Sequence, residues 1–198
     1  MSRAVMPRTI ACQCDACGRG DMPGHRGSCP SGGPVTPATG FFGKIPSAGD
    51  FVTQGVPGMM RIALDRWMTA HLATRSAWPG SWPETGLRAT LELGKGTLTA
   101  LILPSRDRSG RAFPLACCRL PGLDWDAAEE WCDAALPTAR AAVAGALSPG
   151  SLGAALEALP PARGIDPEPG LWIADPPAAE NRSVEQVLAA LMGPIGAV

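Results

Sequence analysis

The sequence predicts an α+β fold, in which helices pack on a mostly antiparallel sheet within a single domain. Two features lead to this prediction. Short apolar runs between 87 and 118 are joined by short turns, and two longer segments, 57–74 and 124–147, carry apolar residues at helical spacing. Consecutive strands joined by short turns favour antiparallel pairing, and the helices must bury their apolar stripes on the sheet.

The chain divides into an extension and a domain. Residues 1–39 show neither a helical nor a strand period and are rich in Cys, Gly and Pro. Such a segment cannot bury enough apolar surface to offset the entropy of ordering, so we expect a disordered extension. Met6 and Met22 are also candidate translation starts, so part of it could lie upstream of the true start. The globular domain is expected over 40–198.

The first expected elements are a strand, a helix and a rigid loop. The stretch GFFGKIPSAGDFV, 40–52, indicates a short strand followed by turns, because Gly and Pro interrupt its apolar residues. Residues 57–74 place apolar side chains at three- and four-residue spacing, and Pro57 suits a helix start. The segment WPGSWP, 78–83, predicts a loop anchored by two tryptophans.

Three strands should follow. LRATLEL, 87–93, alternates strictly between apolar and polar residues, which predicts a half-buried strand. The GKG turn and the returning run at 97–103 complete a predicted β-hairpin. AFPLACC, 112–118, is apolar and short enough for a further buried strand.

A long helical period covers 124–147, with Asp124 or Asp126 as its cap. Pro137 lies inside this period. Because proline removes a backbone donor and clashes with the preceding turn, we expect two helices here.

Three short elements complete the prediction. A helix is expected over 151–159 with Ser151 as its cap, and a strand over 171–174. A final helix over 183–192 begins with serine and glutamine at the spacing of a capping box.

Charge and composition exclude several classes of protein. The net charge of −1 steers the chain toward neither nucleic acid nor an acidic membrane. No apolar run approaches the roughly 20 residues of a bilayer span, and the N-terminus lacks the apolar segment of a secretory signal. We therefore expect a cytoplasmic protein. Seven cysteines, an odd number, argue against a disulfide framework.

The extension carries a weak zinc candidate. Cys14, Cys17, His25 and Cys29 are four ligands of the types that complete a tetrahedral site. Their spacing matches no strong template, so chance cysteines in an unstructured tail are the favoured interpretation. A zinc-binding module stays open as an alternative. The remaining cysteines are expected to be small buried hydrophobes: Cys117, Cys118 and Cys132.

No catalytic constellation stands out. The G-x-S-x-G motif is absent, and His71, the one histidine outside the extension, lies on the apolar stripe of the first helix. A small metal-assisted hydrolase that uses Asp50 and Asp107 remains an alternative. We predict a protein that is not an enzyme and needs no cofactor.

The loop SRDRSGRAFPL, 105–115, is the most polar turn in the domain. Asp107 lies among three arginines, so an arginine–carboxylate pair could fix a corner of the sheet. Ser105 could hydrogen-bond the local backbone, and Gly110 could adopt positive φ. Such a loop can be structural or a recognition surface. Physical reasoning alone favours the structural role.

These stretches resemble a known family. GFFGKIPSAGDFV, a first helix containing LDRWM, and LPSRDRSGRAFPL are similar to the motifs of the TagF (ImpM) family of bacterial type VI secretion-associated proteins. The second motif is long and ordered, which makes the match specific. The resemblance covers about 40–120 well and 121–192 loosely.

The resemblance implies a function. It implies a cytoplasmic accessory protein that represses the secretion machine after translation by binding a forkhead-associated scaffold protein or another secretion component. The family has no known enzymatic activity. Seven residues match its motifs and are the candidate binding residues: Lys44, Ser47, Asp50, Ser105, Asp107, Gly110 and Arg111. We expect the two motif loops to lie together, with Asp50 and Asp107 paired to Arg111 or Lys44.

Overall fold

A computed structural model describes residues 38–77, 82–94, 96–162, 167, 169–172 and 184–192. All of them belong to one unit, Pro34–Val198. The candidate zinc ligands and nearly all of the predicted extension lie outside the described residues.

Six strands form one sheet in the order β2-β1-β5-β4-β3-β6, and every neighbouring pair is antiparallel. The strands are β1 Ala38–Gly43, β2 Val52–Gln54, β3 Leu87–Leu93, β4 Gly96–Leu103, β5 Leu115–Leu120 and β6 Gly170–Trp172. The helices are α1 Gly58–His71, α2 Trp125–Val143, α3 Pro149–Glu157 and α4 Val184–Met192. A short 3-10 helix spans Arg75–Ala77. The predicted α+β fold is confirmed.

Helices cover both faces of the sheet. One core contains Leu64 and Met68 of α1 together with Leu188 of α4. The other contains Trp131 of α2 and Leu152 of α3. The central strands therefore face an apolar layer on each side, which explains why β4 and β5 read as nearly continuous apolar runs.

The prediction of a half-buried strand over 87–93 is wrong in one respect. The β3–β4 hairpin forms as expected, but β3 is buried on both faces at its centre. Arg88 and Thr90 belong to the polar side of its alternation and are nevertheless almost inaccessible to solvent. The side chain of Thr90 meets that of Thr99 at 3.1 Å, with either oxygen as donor. Because Thr90 is paired with Thr99 of β4 and Arg88 with side chains of α2, an alternating strand can be buried on both sides.

Pro137 does not divide the long helix. Residues Trp125–Val143 form one helix, which Asp124 caps by accepting a hydrogen bond from the Ala127 backbone N–H at 3.1 Å. Pro137 lies on the exposed face. A carbonyl that loses its partner there can turn to water, so the helix continues.

The cap of α3 also differs from the prediction. Ser148, not Ser151, is the cap, and its side chain accepts a hydrogen bond from the Ser151 N–H at 3.2 Å. Pro149 occupies the first helical position, where proline is favoured because its missing donor has no helical partner to lose.

Other boundaries shift by a few residues. The third predicted strand begins at Leu115, because the residues before it belong to the polar loop. Strand β2 was not predicted and has only three residues. Of the strand predicted over 171–174, residues 171 and 172 are described, and they form β6 together with Gly170. The predicted cap at Ser183 and most of the tryptophan loop lie outside the described residues.

Candidate functional site

The sheet brings the two motif loops together. Loop A, residues 44–51, follows β1, and loop B, residues 104–114, precedes β5. Because β1 and β5 are antiparallel neighbours, with Phe42 opposite Ala116, the two loops emerge at the same end. The backbones approach closely: a Cβ on Gly43, which has φ +143°, would lie 2.2 Å from the Pro114 carbonyl oxygen. Glycine is therefore required at this crossing.

Asp107 is the centre of the two loops. Its side chain is fully buried, and Oδ2 lies 3.0 Å from Lys44 Nζ and 2.7 Å from Arg111 Nε. Oδ1 accepts hydrogen bonds from the backbone N–H groups of Ser109 and Arg111 and from the Ser109 hydroxyl. Both oxygens are thus engaged, and Asp107 joins the start of loop A to the turn of loop B. Gly110 closes that turn with φ +84°, as predicted.

The cluster keeps Asp107 ionised. Burial alone would raise the pKa of its carboxyl group. The hydrogen bonds from Lys44, the Arg111 backbone, Ser109 and the Arg111 side chain outweigh burial and hold the pKa well below its ordinary value. The ionised carboxylate therefore stabilises the fold.

The stability of the protein should depend on pH through Asp107. A carboxyl whose pKa is lower in the folded chain stabilises it above the ordinary pKa of 3.8, and this contribution is lost as pH falls toward the folded-state pKa. We expect the difference in melting temperature between wild type and Asp107→Asn to shrink as pH falls from about 6 to about 3. Circular dichroism melts in a buffer series measure it. A difference that is constant or grows at low pH would contradict the assignment.

Two arginines of loop B clamp loop A. Arg108 donates from Nη2 to the Ser47 carbonyl at 2.6 Å, and Arg111 donates from Nη2 to the Gly49 carbonyl at 2.7 Å. The Ser47 hydroxyl in turn donates to the Leu147 carbonyl at 2.7 Å, which ties loop A to the segment after α2. These bonds hold both guanidinium groups in fixed positions at the surface.

An aromatic cluster lies beside the clamp. Phe51 stacks on Phe42 with a centroid distance of 5.6 Å and meets Phe113 edge to face at 4.8 Å. Lys44 Nζ lies 5.0 Å from the centre of the Phe51 ring. Phe51 is nevertheless 46% exposed. It was not among the predicted binding residues, although its place beside Asp50 in the first motif was a signal.

Among the seven candidate binding residues, two differ from the expected arrangement. Lys44, Asp107 and Arg111 form the expected ion pairs, whereas the exposed Asp50 accepts a hydrogen bond from the Phe51 N–H at 2.8 Å. The expected pairing of Asp50 with a cation is not observed. Ser105 is also different: its carbonyl accepts from a backbone N–H, but its buried hydroxyl has no hydrogen-bond partner among the described residues.

The geometry does not favour metal chemistry at Asp107. A metal ion there would have to displace Lys44 and Arg111, and Asp50 does not share the buried position of Asp107. Across the described ranges, no three His, Cys, Asp or Glu side chains are grouped to hold a metal ion. The zinc candidate in the extension stays a prediction.

The thiols in the described part of the chain are also placed unfavourably for catalysis. Cys117, Cys118 and Cys132 are buried free thiols, as predicted. Burial raises the pKa of Cys117 to about 12, so it does not form a thiolate near neutral pH. His71 is half-buried and packs against Trp67 with a centroid distance of 5.3 Å.

A second ionic cluster was missed by sequence reasoning. Arg88 of β3 is fully buried and pairs with Glu129 at 2.7 Å and Asp133 at 2.5 Å, both on α2. Trp172 of β6 donates its indole N–H to Glu129. Burial alone would lower the pKa of Arg88, but its hydrogen bonds to Asp133 and Glu129 raise it. This cluster joins α2 to the edge of the sheet and has a structural role.

Comparisons with known proteins identify related sequences and folds. The family model of the TagF N-terminal domain, type VI secretion system-associated, matches residues 40–159. The crystal structure of PA0076 from Pseudomonas aeruginosa PAO1 has a similar fold, with a TM-score of 0.51. It shares 22% sequence identity, and the similarity covers 77% of this chain and 76% of PA0076. No curated protein matches the chain. None of the described helices has the length and apolar character needed to span a bilayer.

Proposed function

The chain belongs to the TagF family of type VI secretion system-associated proteins, and from this premise we propose that it is a non-catalytic, cytoplasmic accessory protein that represses the system after translation. Its partner in this proposal is a forkhead-associated scaffold protein. The protein would act by occupying the scaffold rather than by modifying it.

The observation that carries the proposal is the construction of the motif loops. The family match, 40–159, includes both loops completely. Their buried residues lock the corner of the sheet, while Phe51, Arg108 and Arg111 are held in place yet exposed. Groups that are fixed before binding lose less entropy when they bind, which suits a recognition surface. We therefore assign partner binding to the exposed part of loops A and B.

A repressor of this kind needs no catalytic group. The carboxylate oxygens of Asp107 are engaged by cations and backbone donors, and the three thiols among the described residues are buried. These contacts favour a binding protein over the alternative hydrolase, because a general base must be able to reach a substrate.

The first test is a pull-down from bacterial cytoplasm with the full chain as bait. Arg111→Ala is the test variant, since Arg111 is exposed and contacts both loops. Arg140→Ala is the matched control. Arg140 is also an exposed arginine, and it donates to the Glu84 carbonyl at 2.8 Å, outside the motif loops. Melting curves establish that both variants fold.

We expect the wild type and Arg140→Ala to recover a forkhead-associated scaffold component, and Arg111→Ala to recover about tenfold less. Equal recovery by the wild type and both variants would support the proposed partner and indicate that the motif loops are purely structural. Recovery of no secretion component by the wild type would contradict the proposed function.

A further inference from the structure

We infer that the partner segment bound by the motif loops is acidic, carrying carboxylate or phosphate groups. This inference rests on the proposed function and specifies the chemistry of its partner. It concerns the arginine surface, defined as Arg106, Arg108 and Arg111 of loop B with Phe51 of loop A.

The three guanidinium groups keep most of their donors available. Arg106 is exposed and pairs through its backbone with Ala112, and its side chain has no hydrogen bond or ion pair with the described residues. Arg108 donates one side-chain hydrogen bond, to the Ser47 carbonyl. Arg111 donates to Asp107 and to the Gly49 carbonyl, while its side chain remains 59% exposed. Arg108 and Arg111 are held in fixed positions by these bonds, and fixed arginine donors suit the oxygen pairs of carboxylate and phosphate groups.

The charge balance of the loops favours an anion. The two loops contain two carboxylates, Asp50 and Asp107. Asp107 is buried, and Lys44 and Arg111 share its single charge. Within the two loops, one lysine and three arginines therefore face two carboxylates, an excess of positive charge. The whole chain carries a net charge of −1, so this positive surface does not reflect a generally basic protein. A local field of this kind attracts an acidic partner.

Phe51 adds an apolar contact to the same surface. Its ring is fixed by Phe42 and Phe113 and is still 46% exposed. Aromatic and arginine residues are enriched where protein interfaces are energetically strongest. We therefore expect the acidic segment to carry an apolar side chain beside its anionic groups.

Fluorescence anisotropy with labelled peptides tests the inference on the full chain. The probes are a peptide of glutamates flanking one leucine, its glutamine counterpart, and a counterpart with one phosphothreonine among glutamines. The fourth probe is a single-stranded oligonucleotide with the same net charge as the glutamate peptide. We expect the glutamate or the phosphothreonine peptide to bind, with affinity falling as salt rises. The two anionic peptides distinguish carboxylate from phosphate recognition.

The variants are chosen to move affinity in opposite directions. Arg106→Gln and Arg108→Gln should each weaken peptide binding about fivefold. Asp50→Asn removes the opposing charge and should strengthen it about twofold. Arg140→Gln changes the net charge equally but lies outside the loops and should have no effect.

Several outcomes would overturn the inference. They are binding of neither anionic peptide, equal loss in Arg140→Gln, and arginine-dependent binding of the oligonucleotide alone. Peptide binding that follows the expected pattern, without recovery of any secretion component in the pull-down, would support the acidic ligand and contradict the proposed partner. A scaffold component recovered equally by wild type, Arg106→Gln and Arg108→Gln would keep the proposed function and reject the arginine surface.

Discussion

Replacing Asp107 with alanine is expected to lower the melting temperature by roughly 10 °C. The substitution leaves Lys44, whose side chain is 8% exposed, without its carboxylate. It also removes the acceptor of two loop backbone N–H groups, so the turn of loop B keeps only its backbone–backbone hydrogen bonds. A buried cation without a partner costs more than a missing hydrogen bond, which makes this the largest expected effect at the site. Differential scanning calorimetry measures it.

Two variants control this experiment. Asp50→Ala removes the exposed carboxylate of loop A and should change the melting temperature by no more than roughly 2 °C. Adding Lys44→Met to Asp107→Ala removes the unpaired cation and should recover part of the loss. Equal effects of Asp107→Ala and Asp50→Ala would contradict the central role of Asp107.

Arg88→Ala should destabilise the protein by about 3 kcal/mol. Arg88 is inaccessible to solvent on β3, and its removal leaves Glu129 without its cation while Glu129 still binds Trp172. The partial exposure of both acidic partners keeps the expected value at the lower end for broken buried pairs. Urea unfolding followed by tryptophan fluorescence measures the change.

The two acidic partners of Arg88 provide an internal comparison. The Asp133 side chain is 67% exposed, so Asp133→Asn should cost less than about 1 kcal/mol. Glu129 is less exposed and also accepts from Trp172, so Glu129→Gln should cost more. If Asp133→Asn proved the more damaging of the two, the proposed importance of Glu129 would be wrong.

Local patterns predicted the elements whose signals are local. The β3–β4 hairpin follows from one strand alternation and one turn, and α1 follows from its apolar spacing. Burial of Arg88 could not be predicted in this way, because it depends on α2, whose contact residues lie 41 and 45 positions away. The uninterrupted helix at Pro137 could not be predicted locally either, because the proline is tolerated only where the surrounding fold leaves its face of the helix exposed.

The candidate site was predictable to a similar extent. The arginines around Asp107 lie within a few residues of it in the sequence, so its pairing with Arg111 could be expected from the sequence. The sequence did not distinguish Asp107 from Asp50. Only the solvent exposure of each carboxylate distinguishes the two residues, and this exposure depends on how the two loops cross. The exposure of Phe51 also depends on how the two loops cross.

The pairing of β1 with β5 has a consequence for the order in which the molecule forms. Arg119 of β5 donates to the Ala38 carbonyl of β1, 81 positions earlier in the chain. Contacts this distant form slowly, because a long loop must close before they are made. During synthesis, β1 must wait for β5 to emerge, and loops A and B meet only then. The binding surface that we propose for loops A and B therefore forms only after β5 has been made, and a growing chain that has not yet reached Leu115 cannot present it.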